Sequence, residues 1–312
     1  MAKIKECFVR SPARRGRYLT HLRHHGISSP CKIPLPVSTR WNSWFKMVEY
    51  TKTHLPYWNS FFQNELTNDS TNETLKKITD TLSDPYKFGT ISIYTHFISI
   101  YAKQFMQDTD FFQIQNKPIF SFVEGCLNHL SAFLESNCNS QNFGIKLDTT
   151  ITLHRFNPSD FYPIFCSAFK IAQSKFNDHI PSHPARPLFQ AAQVFDPRYV
   201  LLGPLERKNL CQYSIIKELA CPSDELLCEW SIYCGMGLEN LGEEINLDEY
   251  WMNLQDKLPI LSKIALDYIW LPISSCSVER SFSIYNNILD SNRQNLSKDS
   301  LKKLNMMYFN GN

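Results

Sequence analysis

Eight basic side chains crowd the first 33 residues, Lys3, Lys5, Arg10, Arg14, Arg15, Arg17, Arg23 and Lys32, against the single acid Glu6. The other 24 of the 32 cations share the rest of the chain with 29 of the 30 acids, so a local charge of +7 precedes a body of −5. Cations at this density suit phosphate oxygens, with counterion release as the driving force; a solvated flexible tail has the same composition. Further on, Arg40 is followed by Trp41. An exposed indole can stack on an unpaired base for roughly 1–3 kcal/mol, although a tryptophan close to Trp44 and Phe45 at a helix start also reads as buried. Glu279 lies in Ser277-Val278-Glu279-Arg280, where the helix dipole or a neighbouring cation would favour a first-turn carboxylate by about 0.3–1 kcal/mol. The ten cysteines include no Cys-x-x-Cys pair and read as buried apolar thiols of a reducing compartment. His21, His24 and His25 sit near Cys7 and Cys31, but no second close ligand pair completes a tetrahedral site, so no metal is assigned.

The elements that must position these groups read as helices. Cys31 to Val37 contains Pro34 and Pro36 and is expected to be extended, since each proline disfavours helix at the residue before it. Trp44, Phe45, Val48 and Leu55 then open a helical pattern. Amphipathic segments follow at about 57–66, 71–83, 88–107, 117–136, 159–177, 203–219, 223–233, 247–257, 259–270, 275–289 and 298–309, separated by loops rich in Asn, Asp, Ser, Pro or Gly. The best strand candidates are Ile145 to Leu153 and Gln193 to Phe195, so the fold class is mainly α. A seam is expected near Asp256 to Pro259, where Pro259 can start a helix at its first position.

With 43% hydrophobic, 13% aromatic and 20% charged residues, the 312-residue chain is of ordinary globular composition. Ile91 to Tyr101, the most apolar segment, is broken by Ser92, Thr95, His96 and Ser99 and falls short of the roughly 18 apolar residues of a membrane span. Met1 to Glu6 lacks the apolar core of a secretory signal, and an intracellular protein without membrane partner or small-molecule substrate is expected.

The segment Leu271-Pro272-Ile273-Ser274-Ser275-Cys276-Ser277-Val278-Glu279-Arg280-Ser281-Phe282-Ser283, followed by Arg293, Leu296, Leu301 and Asn305, resembles the C-terminal dimerisation region of hAT-superfamily transposases. Thr39-Arg40-Trp41-Asn42-Ser43-Trp44 looks like the motif that opens the helical insertion domain of that family, and Phe195-Asp196-Pro197-Arg198-Tyr199 resembles a segment late in it. The charge marks a basic arm at 1–33, and the resemblance implies a helical insertion-like domain at 34–257 and a dimerisation-like region at 258–312, a multi-helix body with an incomplete ribonuclease-H-like C-terminal portion. It also implies a homodimer held through Trp270, Phe282, Leu301, Leu304 and Tyr308, in a nuclear or nucleocytoplasmic setting.

In the intact family two aspartates and a glutamate hold two divalent metal ions that activate the attacking oxygen and stabilise the leaving one. Glu279 matches the third acid. Both family aspartates precede the Arg-Trp motif, whereas residues 1–39 contain only Glu6, and Asp148, Asp160 and Asp196 lie inside the insertion. The expectation is a truncated or domesticated relative, catalytically inert by itself and without a cofactor, with Mg²⁺ relevant only if the missing acids are supplied. DNA contact would fall to Arg14, Arg15, Arg17, Arg40 and Trp41. The alternative is a fragment of an active DDE-type DNA transposase whose first two catalytic aspartates lie upstream.

Overall fold

A computed structural model describes residues 2–9, 11–37, 41–114, 116–237, 245–273, 297, 299–300, 302–303 and 306, the Trp41 side chain excepted. Every regular element among them is helical. They fall into two compact units, residues 1–107 with 133–174, and residues 108–132 with 175–312. These units cut the chain differently from the boundaries read in the sequence.

The first unit begins with α1 (Ala2–Val9) and α2 (Pro12–His24). Ser11 accepts a hydrogen bond from the Arg14 amide at 3.3 Å and Pro12 occupies the first turn, the ordinary way to start a helix. Ile4 and Phe8 of α1 and Tyr18 and Leu22 of α2 then join the core, so these residues form a folded layer and not a free arm. α3 (Trp41–Asn68) contributes Trp58, Phe61 and Phe62 to the same core, and α4 (Glu73–Ser83) contributes Leu75, Ile78 and Leu82. Pro56 stands inside α3. It removes the hydrogen bond to the carbonyl four residues earlier, but Leu55 and Trp58 bury the face on either side of it, and packing carries the helix through. α5 (Pro85–Phe112) as far as Gln107, the end of α6 (Val123–Cys138) from Phe133, α7 (Ile145–Leu153) and α8 (Pro158–His179) as far as Ser174 follow, the rest of α5, α6 and α8 belonging to the second unit. An aromatic cluster closes this part of the unit, with Phe97 stacked on Phe165 at 3.9 Å and Phe143 edge-on to both.

Both strand expectations are overturned. Residues 145–153 form α7, because its inward residues Leu147, Thr150 and Ile151 are spaced for a helix, while Ile145 (82% exposed) and Leu153 (75% exposed) face out and made the alternation misleading. Gln193–Phe195 is a 3₁₀ turn with the consecutive side chains Val194 and Phe195 both buried, which a half-exposed strand would not allow.

The second unit holds α9 (Arg186–Ala192), α10 (Pro197–Leu201), α11 (Lys217–Ala220), α12 (Asp224–Cys234), α13 (Leu247–Asn253) and α14 (Pro259–Ile269). The single helix expected at 203–219 is broken into short turns at Leu205–Lys208 and Leu210–Tyr213 before α11, with Asn209 accepting from the Cys211 amide between them. Tyr233, Leu247, Trp251, Leu258, Leu261 and Ala265 belong to one core. The two sides of Pro259, expected to be separate domains, therefore share their interior.

Candidate functional site

Four cations of the N-terminal segment, Arg14, Arg17, Arg15 and Lys5, are engaged by the protein itself, and Arg10 lies outside the described residues. Arg14, 6% exposed, donates through Nε to Glu65 Oε2 at 2.8 Å and through Nη1 to the Cys7 carbonyl at 2.9 Å. Arg17 donates to both oxygens of the same carboxylate, Nε to Oε1 at 2.6 Å and Nη2 to Oε2 at 2.7 Å. Arg15 Nε donates to the Phe8 carbonyl at 2.8 Å and Lys5 Nζ to the Pro36 carbonyl at 2.5 Å. Burial pushes the Glu65 carboxyl upward, but the hydrogen bonds from Arg17 and Arg14 outweigh it and leave the group below its ordinary value. Lys3, Arg23 and Lys32 remain exposed. The sequence reading missed Glu65, which lies 51 positions from Arg14. The Ser11-Pro12 start and the four-residue spacing of Tyr18 and Leu22 were the signals that this segment is helical.

The neighbouring residues are held just as firmly. Tyr50 donates to the Cys31 carbonyl at 2.8 Å, its hydroxyl lies 3.2 Å from that of Tyr18, and Trp58 Nε1 donates to Tyr18 at 2.8 Å. Burial pushes the Tyr50 phenol up to about 12. His21 Nε2 lies 3.1 Å from the Tyr57 carbonyl. Among the described residues no group of three or more His, Cys, Asp or Glu side chains could hold a metal. Arg40 and Glu279 lie outside the described residues, as do Phe282, Leu301, Leu304 and Tyr308, and Trp41 is described only as the first residue of α3.

The C-terminal helices up to Ile273 show how a terminal region is positioned. Trp251, fully buried, donates its indole N–H to the Phe195 carbonyl at 2.9 Å, and the Tyr233 hydroxyl, also fully buried, donates to the Val194 carbonyl at 3.0 Å. Phe195, in the Phe-Asp-Pro-Arg-Tyr segment, thus supports α13 with both its backbone and its ring, edge-on to Trp251 at 6.2 Å. Asp196 caps α10 by accepting from the Arg198 amide at 3.0 Å, and its carboxylate pairs with the Arg198 guanidinium. Glu229 of α12, 7% exposed, accepts the Ile260 amide at 3.2 Å and the Leu261 amide at 2.7 Å, so one carboxylate answers two of the free amides at the start of α14. At the far end of α14 Trp270 is 44% exposed and donates to Asp248 Oδ1 at 2.7 Å. Of the residues predicted for association, Trp270 is the one whose side chain is described. It presents part of a large apolar surface beside a polar anchor.

Residues 232–310 match the family model of the hAT family C-terminal dimerisation region. The match begins inside α12 and takes in α13 and α14. No curated protein matches the chain. No helix of the described residues is long and apolar enough to cross a membrane.

Proposed function

We propose that this chain, an hAT-family transposase-related protein, works by self-association through the region 232–310 and not by catalysis of its own. The match to a dimerisation region carries the reading. It is supported by the way Glu229, Phe195 and Val194 hold α12, α13 and α14 as a rigid base for that region. On this reading the terminal portion is a remnant of a ribonuclease-H-like domain, Glu279 is a surviving match to one family acid without partners for metal chemistry, and the setting is nuclear or nucleocytoplasmic. DNA contact from the N-terminal segment is weak, because Arg14, Arg15, Arg17 and Lys5 are occupied and Lys3, Arg23 and Lys32 are the described cations left to reach phosphates.

The test is the mass of the full chain by light scattering across a concentration series. A dimer is expected at micromolar concentration, since burying a Leu or Phe side chain contributes roughly 1.5–3 kcal/mol and a few such residues offset the cost of association. Replacing Leu301 and Leu304 together by Asp should give a folded monomer by circular dichroism. A wild type that remains monomeric at tens of micromolar overturns the reading.

A further inference from the structure

The first unit contains a cleft of about 930 Å³ between α3, α5 and the start of α7. Four lysines line it: Lys46 and Lys52 from α3, Lys103 from α5 and Lys146 from α7, with Glu49 the one acid among the lining residues. None of the four ammonium groups makes an ion pair or hydrogen bond with a described residue, whereas Lys76 and Lys87 elsewhere in the unit pair with Glu73 and Asp84. Four cations beside the single carboxylate of Glu49 leave an excess of positive charge, and an external anion relieves the repulsion within it. Lys46 and Lys52 are six residues apart on one helix, a rise of roughly 9 Å, so the charge is spread along the cleft and matches an extended polyanion better than a single phosphate.

Two further features share the cleft. The N-terminus of α7 opens on it through Gly144, which has φ +89 and offers no side-chain cap. The Ser99 hydroxyl, on the wall, is buried with no hydrogen-bond partner. The remaining surface is largely apolar. Tyr101, whose hydroxyl is fixed on the Phe143 carbonyl at 3.0 Å, lines it with Met106 and the exposed Ile145. Cations beside an apolar surface that includes the ring of Tyr101 are the chemistry that holds a phosphodiester strand whose bases are unpaired. A duplex would hide those base faces, and an acidic peptide would engage the lysines and leave the apolar faces uncovered.

We propose that this cleft binds single-stranded nucleic acid without sequence preference, its lysines on the phosphates and its apolar surface against the bases. The site is separate from the occupied arginines of α2 and does not depend on self-association. Four phosphate contacts predict a slope of log affinity against log salt near −2.8, so binding of a fluorescein-labelled oligothymidylate of about twelve nucleotides should weaken about 50-fold between about 50 and about 200 mM salt.

Fluorescence anisotropy on the full chain reads this directly. The double variant Lys46→Gln with Lys103→Gln should halve the slope to near −1.4 and cut the loss over the same range to about 7-fold. A control pair in the second unit, Lys217→Gln with Lys263→Gln, should leave the slope unchanged. Light scattering on the cleft variant should return the wild-type mass, which separates failure here from failure of the self-association reading. A slope unaffected by the cleft variant overturns the proposal. So does a duplex of equal length that binds as tightly, or polyglutamate that competes as well as the oligonucleotide at equal charge.

Discussion

Replacing Glu65 by Gln isolates the group on which the N-terminal segment is folded. Its carboxylate is nearly inaccessible and accepts three hydrogen bonds from Arg14 and Arg17. The amide keeps the shape, but its NH₂ faces guanidinium donors, and Arg14 stays buried beside a neutral group. Removing one partner of a buried pair costs about 3–5 kcal/mol. Arg14 keeps the Cys7 carbonyl at 2.9 Å and Asp69 at 3.7 Å, which places the expected loss near the lower end, about 3 kcal/mol. For a unit of this size that is a fall of about 6–12 °C in Tm, read by far-ultraviolet circular dichroism. Glu73→Gln, which removes an exposed i,i+3 pair with Lys76 at 3.1 Å, should change stability by less than about 0.5 kcal/mol. Acid gives the second readout. Because the Glu65 carboxyl lies below its ordinary value when folded, its contribution is present at neutral pH and is lost as pH falls through the folded value. The gap between wild type and Glu65→Gln should therefore hold at neutral pH and narrow as acid takes the pH below the ordinary carboxylate range. Equal stability at pH 7, or a gap that widens in acid, refutes the reasoning.

Two further substitutions test the packing. Glu229→Ala leaves the Ile260 and Leu261 amides of α14 without their acceptor and should cost about 1–2 kcal/mol, measured as a lower urea midpoint with unchanged slope. Gly89→Ala would place a methyl 2.8 Å from Phe156 Cε2 and 3.0 Å from His154 Cβ, and overpacking of this kind should cost about 1–3 kcal/mol in the same assay.

Long segments with a strong helical period were legible: 71–83 contains α4, 159–177 lies within α8, and 223–233 and 259–270 nearly coincide with α12 and α14. Each has an independent start signal, such as Asn72 accepting two amides before α4, Ser223 before α12, or Pro259 at the first turn of α14. What could not be read was decided by distant partners. The arginines of α2 suggested a phosphate contact because nothing near them in sequence is acidic, yet Glu65 meets them across the fold. The cleft lysines come from three helices and form no cluster in the sequence. Phe195 to Tyr199 stood out in the sequence only as a resemblance, and the carbonyl that Phe195 offers to Trp251 is visible only in three dimensions.

The carboxylate of Glu229 also shows that the matched stretch and the folded unit are not the same piece of chain. The stretch that matches the family model starts at Ile232, but the amides of its α14 rest on a side chain three residues earlier, and the polar tips of Tyr233 and Trp251 rest on the carbonyls of Val194 and Phe195, earlier still. An excised 232–310 peptide would carry the whole match and leave behind the groups that quiet its buried donors. The stretch that matches and the unit that folds thus have different edges, and a change at Val194, Phe195 or Glu229 reaches the matched region without touching a residue of it.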